Sequence, residues 1–183
     1  MSQATNITDQ LPLAWPSYIA GEQVQSDDTL EVRYPWDGSL TGTLPKITPE
    51  QLEQAIAAAL GQVQPPTKNE RYEILMRARE LLAKRTDEFA NLIRLEAGLC
   101  MRETRYEVGR AQEVFKFAAA EALRDDESIF SCDAAKNGPA RKIFTLREPL
   151  SLVAAITPFN HPLNQVAHKL APAVAAGVPV LLK

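Results

Sequence analysis

Residues 149–183 read PLSLVAAITPFNHPLNQVAHKLAPAVAAGVPVLLK, and this stretch decides the fold class. Ser151–Ile156 and Val178–Leu182 are almost unbroken apolar runs of strand length. Between them a helix is predicted over Leu163–Ala176, and Gly177 ends it. Strand, helix and strand within about thirty residues predict a βαβ unit. Strands that are apolar on both faces are typical of a parallel sheet covered on both sides, so we predict an α/β fold.

The predicted sheet needs more than these two strands. Two parallel strands do not form a stable sheet alone, and they leave apolar edges open. The sequence ends inside the second apolar run. We therefore expect further strands, from additional chain or from a partner, to complete the sheet.

The region before the βαβ unit divides into a lead-in at residues 1–16 and a mixed segment at residues 17–125. Thr48 is a predicted N-cap, with Pro49 at the first helical position and Gln51 closing a capping box. Four helices are expected to pack together. They are predicted over Gln51–Leu60, Glu70–Arg85, from a Thr86-Asp87 cap to Gly98, and over Arg102–Leu123, after strand candidates at Tyr18–Glu22 and Leu30–Tyr34.

Residues 126–148 are predicted to form a β-hairpin. Ile129–Cys132 and Lys142–Leu146 have strand character and flank Asn137-Gly138, a strong turn signal. The hairpin then leads directly into the apolar strand of the βαβ unit.

Composition excludes several classes of protein. Hydrophobic residues make up 45%, charged residues 23%, and the net charge is −3, which argues against a basic nucleic-acid-binding domain. No apolar stretch is long enough to span a membrane, and the N-terminus lacks a secretory signal. Cys100 and Cys132 are too few for a disulfide scaffold and lack metal-ligand spacing, so we expect a cytoplasmic protein without a metal site.

Several motifs of residues 149–183 together resemble the aldehyde dehydrogenase superfamily. They are the turn PFNHP at 158–162, KLAPA at 169–173, Gly177 and the final Lys183. Tyr18–Glu22 and the segment REPL before the first apolar strand are similar too. The resemblance implies the N-terminal part of that fold: a helical segment, an oligomerisation hairpin and the first βαβ of a Rossmann-like cofactor domain, incomplete at residue 183.

The resemblance implies roles for the turn after the first strand. Enzymes of this family attack an aldehyde with a cysteine thiolate, and Asn160 would donate to the oxygen that becomes negative. NAD or NADP would lie beyond the strand ends. The implied cofactor contacts are Ile156, Thr157, Pro158, Phe159 and, at the ribose, Lys183. From the residues alone, Asn160 is equally a turn residue and Lys183 a solvated lysine.

The family's general-base glutamate, in a Glu-Leu-Gly-Gly context, and its nucleophilic cysteine, in Gly-Gln-x-Cys, do not occur in these 183 residues. Cys100 follows a predicted helix end and Cys132 lies in the hairpin, so both are interpreted as structural or surface cysteines. We expect the 183-residue chain alone to be inactive.

His161 and Arg110 indicate the substrate class. Phosphonoacetaldehyde dehydrogenases resemble this chain in the Asn-His-Pro turn and in an arginine on the long helix. A guanidinium and an imidazole converging on one pocket suit a small anionic aldehyde. Alternatively, Arg110 forms a surface ion pair with Glu107 or Glu113, and His161 bonds nearby backbone.

Two classes of function follow from the sequence. The first is the N-terminal portion of an NAD(P)-dependent aldehyde dehydrogenase that acts on a small-molecule aldehyde and forms a homo-oligomer. The second is a non-catalytic, truncated paralogue that assembles with a full-length homologue, or a decayed gene product. A reading frame continuing after codon 183 into the Gly-Gln-x-Cys segment would favour the first.

Overall fold

The computed structural model of the chain describes residues 14–62 and 64–183 and shows the predicted α/β fold. Short strands and helices follow one another in the order β1–β4, α1–α4, β5–β7, α5, β8. The strands are β1 (Ser17–Ile19), β2 (Glu22–Val24), β3 (Thr29–Arg33), β4 (Leu40–Pro45), β5 (Ile129–Ser131), β6 (Lys142–Phe144), β7 (Val153–Ala155) and β8 (Val180–Leu182). The helices are α1 (Pro49–Leu60), α2 (Lys68–Lys84), α3 (Thr86–Ala97), α4 (Met101–Ala122) and α5 (Pro162–Ala176).

Helix α4 lies at the centre of the helical layer, because α2, α3 and α5 all pack against it. Its covered face carries small side chains, including Ala111, Ala118 and Ala119, and small side chains allow helix axes to approach closely. Leu75 and Leu82 of α2 lie in the two buried clusters formed there. The prediction that the first four helices pack together is wrong for α1, whose main contacts are with β1 and β8.

The βαβ unit forms as predicted. Strands β7 and β8 pair in parallel, with Val153 opposite Val180 and Ala155 opposite Leu182. Helix α5 makes the crossover and ends at Gly177, whose φ of 75° lies in the left-handed region. A Cβ at this glycine would also lie 2.7 Å from the guanidinium of Arg71, so the position favours glycine for two reasons.

The N-terminal strands differ from the prediction. Tyr18–Glu22 is not one strand but spans a tight hairpin, because Ala20 and Gly21 both have positive φ. Strand β4, which the sequence pattern did not reveal, pairs with β3. Of the predicted lead-in, residues 1–13 lie outside the described residues. Within the described part of the lead-in, Trp15 donates its N–H to the Thr43 carbonyl at 2.9 Å.

Helix starts confirm one predicted cap and correct another. Thr48 accepts from the Gln51 N–H, and the Gln51 side chain accepts from the Thr48 N–H, which completes the predicted capping box. Thr86 does not cap α3, because its hydroxyl donates backwards to the Ala83 carbonyl at 2.9 Å. The remaining predicted helix bounds differ from the observed ones by one or two residues.

The predicted hairpin exists, but its turn is not at Asn137-Gly138. Strands β5 and β6 are antiparallel, with Ile129 opposite Phe144, and residues 132–141 connect them through consecutive turns. Gly138 has an ordinary negative φ and packs so closely on the Cys132 carbonyl that a Cβ would overlap it. Glycine is required there for close packing, whereas the two-residue turn signal implied a positive φ.

Candidate functional site

The carboxyl ends of β7 and β8 meet at one edge of the two-stranded sheet. Lys183 donates its N–H to the Ala155 carbonyl at 2.8 Å. The Lys183 carbonyl in turn accepts from the Thr157 N–H at 2.9 Å and from the Thr157 hydroxyl at 2.8 Å. The predicted contact residues Ile156, Thr157 and Lys183 therefore lie together, and the Thr157 hydroxyl is already engaged with the neighbouring strand.

An exposed apolar surface follows that edge. Ile156 is 69% exposed and Phe159 90% exposed, and Pro158 between them is also exposed. A cavity of about 420 Å³ lies between this turn and helix α3. Its lining includes Thr157, Pro158 and Phe159 on one side and Phe89, Leu92 and Glu96 on the other. Three of the predicted cofactor contacts thus share one cavity.

Asn160 lies in the turn between this apolar surface and helix α5. Pro162 occupies the first helical position, and His161 is the N-cap residue, with φ −146° and ψ 74°. The Asn160 side chain is exposed. Its amide is thus presented to solvent from a short, proline-flanked turn.

Glu107 is the residue of this site that the sequence analysis missed. It lies on α4, is 2% exposed, and accepts hydrogen bonds from the N–H groups of Leu163 at 2.9 Å and Asn164 at 3.0 Å. Its second oxygen lies 3.2 Å from Nδ1 of His161. The His161 side chain does not cap α5, so Glu107 supplies the cap from the neighbouring helix.

Two sequence signals pointed to Glu107. It falls on the apolar stripe of α4, three residues after Thr104 and four before Ala111, where a carboxylate needs a buried partner. Helix α5 also begins without Ser, Thr, Asp or Asn at its N-cap. These signals mark Glu107 and the start of α5 as groups that each need a partner, but they do not pair the two.

Of the two predicted anion-binding residues, His161 contacts the buried Glu107, whereas Arg110 is exposed on the same helix as Glu107. Nδ1 of His161 contacts the Glu107 side chain, whereas the alternative prediction for His161 was a hydrogen bond to nearby backbone. The guanidinium of Arg110 lies 6.0 Å from the ring centre of Tyr106. The alternative ion pair of Arg110 is not formed: no carboxylate of the described residues lies within ion-pair distance, and Glu113 pairs with Lys116 at 2.9 Å.

The junction of α3, α4 and α5 also carries a second carboxylate. Burial raises the pKa of Glu96, and the negative charge of Glu107 raises it further. Glu96 as a whole is exposed, so solvent weakens both effects. The partner of His161, Glu107, therefore has a second carboxylate nearby.

The comparisons with known proteins agree with this geometry. The profile of the aldehyde dehydrogenase family matches residues 22–183. The chain belongs to the aldehyde dehydrogenase family. A curated relative, 3-sulfolactaldehyde dehydrogenase of Priestia megaterium, is 37% identical over 167 residues, covering 91% of this chain and 35% of the relative. The chain thus spans about a third of the length of the curated relatives it matches.

Solved structures of aldehyde dehydrogenases share the fold. NADP-dependent glyceraldehyde-3-phosphate dehydrogenase from Bacillus halodurans, complexed with NADP, is 30% identical with a TM-score of 0.83, covering 90% of this chain and 36% of that one. A double mutant of betaine aldehyde dehydrogenase from Staphylococcus aureus, in complex with NAD⁺, is 26% identical with a TM-score of 0.84. That match covers 93% of this chain and 35% of the other.

The two cysteines of this aldehyde dehydrogenase chain are both free thiols. Cys100 is exposed at the N-cap of α4, and Cys132 is half-buried in the hairpin connection. Among the described residues, no three His, Cys, Asp or Glu side chains are placed to hold a metal ion. Over the same residues, no helix has the length and apolar character needed to cross a membrane.

Proposed function

We propose that this chain is the N-terminal portion of an NAD(P)-dependent aldehyde dehydrogenase that oxidises a small, anionic aldehyde to the acid. One observation carries the proposal: the exposed amide of Asn160 stands at the carboxyl edge of the parallel strands, in a turn bonded to a buried carboxylate. Ligands of open α/β sheets bind at this edge. The two free cysteines fit a reducing, cytoplasmic setting.

The residues at the sheet edge fit a dinucleotide. Ile156, Pro158 and Phe159 offer exposed apolar surface for a planar ring, and Lys183 offers a cation at the end of β8. Thr157 would contribute through its backbone and methyl group, because its hydroxyl is bonded to the Lys183 carbonyl. When bound, NAD or NADP accepts the electrons removed from the aldehyde.

Asn160 would stabilise the charge that develops during oxidation. Attack on an aldehyde makes its oxygen negative, and a preorganised N–H donor at that position lowers the barrier. The side chain of Asn160 needs no rearrangement of α5 to serve as this donor, because Glu107 already fixes the start of the helix.

Arg110 and His161 are proposed to select an anionic aldehyde. A guanidinium binds phosphonate, sulfonate and carboxylate oxygens through paired hydrogen bonds. With Nδ1 of His161 directed at Glu107, its Nε2 remains for a ligand. Two of the proteins described above are named for a sulfonated and a phosphorylated aldehyde, which supports this class. Neither is a phosphonoacetaldehyde dehydrogenase, so phosphonoacetaldehyde is one candidate among several.

Self-association through the hairpin is proposed as well. Ile129 and Phe144 face each other across β5 and β6 and are 82% and 69% exposed. An exposed pair of large apolar side chains on a short hairpin is typical of an interface. The same surface would serve a homo-oligomer or a complex with a full-length homologue.

The substrate proposal is tested in a hybrid enzyme, in which residues 1–183 replace the matching part of the Priestia megaterium relative. We expect it to oxidise 3-sulfolactaldehyde or phosphonoacetaldehyde in preference to propanal. Arg110→Ala should lower kcat/KM for the anionic substrate by about thirty- to a thousand-fold, because a charge-assisted contact is lost. Propanal, which has no group for the guanidinium, should be oxidised almost as before.

Two further variants separate specificity from damage to the fold. Arg102→Ala is the matched control, because Arg102 lies on the same helix and pairs with the exposed Glu103. Asn160→Ala should lower kcat by about 10²–10³ for every aldehyde. Equal losses for both substrates in Arg110→Ala would refute the anion contact, and a loss in Asn160→Ala confined to KM would refute the donor role.

A further inference from the structure

Glu107 makes three hydrogen bonds that all end on one short segment. Its Oε1 accepts from the N–H groups of Leu163 and Asn164, and its Oε2 contacts His161. These partners are the residues on either side of Pro162, immediately after Asn160. A buried carboxylate on α4 is thus bonded to the turn and to the first helical turn of α5.

The bonds matter because α5 cannot satisfy its own first N–H groups. The first N–H groups of an α-helix have no intrahelical acceptor. Leu163 and Asn164 are the second and third helical residues, so their N–H groups can form hydrogen bonds only with an acceptor outside the helix. The positive end of the α5 dipole also favours a carboxylate at this place. Glu107 therefore fixes where α5 begins relative to α4.

We infer that Glu107 is a positioning residue for the Asn160 donor. Its carboxylate holds the Asn160–His161 turn against α4 while the Asn160 amide itself stays open to a ligand. This inference rests on the proposed role of Asn160. It assigns Glu107 no contact with substrate or cofactor, since the carboxylate is buried and its oxygens are directed at α5.

The bonds are tested in the 183-residue chain by amide hydrogen exchange, which needs no activity. In the parent chain the N–H groups of Leu163 and Asn164 should be protected. Glu107→Ala should accelerate their exchange by about tenfold or more, while Ala167 and Ala171 further along α5 keep their rates. In Glu107→Gln the two exchange rates should lie between those of the parent chain and Glu107→Ala, because the amide oxygen of the new side chain still accepts a hydrogen bond. Glu113→Gln, an exposed acid on the same helix, is the matched control.

The positioning role is tested in the hybrid enzyme with a double-mutant cycle. Glu107→Ala should lower kcat about tenfold or more with KM for the aldehyde little changed, and Glu107→Gln should recover most of the loss. In an Asn160→Ala background, Glu107→Ala should cause no further loss. A residue that only stabilises the fold would lower activity by the same factor in both backgrounds.

The outcomes separate this inference from the proposed function. Equal exchange rates in the parent chain and Glu107→Ala would overturn the inference, whether or not the hybrid enzyme is active. Additive losses of kcat would also overturn it and leave Asn160 in its role. An active hybrid enzyme that tolerates Asn160→Ala would instead contradict the proposed function of Asn160, and with it the premise for Glu107.

Discussion

The carboxylate of Glu96 is partly buried and lies near Glu107. Burial and the negative charge of Glu107 both raise its pKa. The folded chain therefore holds this proton at pH values where the unfolded chain has released it. Between the two pKa values the native state binds more protons, so stability falls as pH rises through that window and the cost persists above it. Ionised Glu96 is a destabilising group at neutral pH.

Glu96→Gln should consequently raise the free energy of unfolding at pH 7. We expect the gain to stay below about 1 kcal/mol, because Glu96 is exposed and solvent screens its charge. The gain should vanish below about pH 4, where the carboxyl is protonated in both states. Urea denaturation at both pH values measures it, with Glu103→Gln on α4 as the exposed control. A variant that is equally stabilised at both pH values would contradict the electrostatic cause.

Among the elements, the hairpin β5–β6 leaves the large apolar side chains of Ile129 and Phe144 exposed to solvent. The double change Ile129→Lys and Phe144→Lys should abolish the proposed self-association and leave the helical content intact, because both side chains are exposed. Sedimentation velocity gives the mass and circular dichroism the helical content. Trp36→Lys is the control, since Trp36 is 85% exposed but lies between β3 and β4. Unchanged association in the hairpin variant would show that another surface forms the interface.

The elements also show which structural features can be predicted from short-range sequence patterns. The capping box at Thr48 was predictable because its two hydrogen bonds join residues three positions apart. The turn within the predicted strand Tyr18–Glu22 was missed because Ala20 adopts a positive φ, which alanine rarely does. The glycine at position 138 correctly marked a special backbone position. It is needed because the chain packs closely on the Cys132 carbonyl, and not because it forms a two-residue turn.

For the whole molecule, the positions of the two cysteines predict that these 183 residues alone do not oxidise aldehydes. Cys100 is the N-cap residue of α4, and Cys132 lies in the connection between β5 and β6. Neither cysteine lines the cavity beside the Asn160 turn. We expect no NAD or NADP reduction above background in the 183-residue chain, measured by absorbance at saturating aldehyde. Turnover that disappears in Cys100→Ser or Cys132→Ser would assign a nucleophile and refute this expectation.

The sequence by itself determined the βαβ unit, the parallel pairing expected of its two apolar runs, and the turn that carries Asn160. Each depends on hydrophobic periodicity or on residues a few positions apart, which the order of amino acids displays directly. Only the tertiary structure decided what surrounds that turn. The bonds from Glu107 to Leu163 and Asn164 join residues 56 and 57 positions apart. The choice of Glu107 over nearby backbone as the partner of His161 likewise arises from how α5 packs on α4. A buried carboxylate requires partners, but the sequence does not specify which N–H groups will be within its reach until the helices are packed.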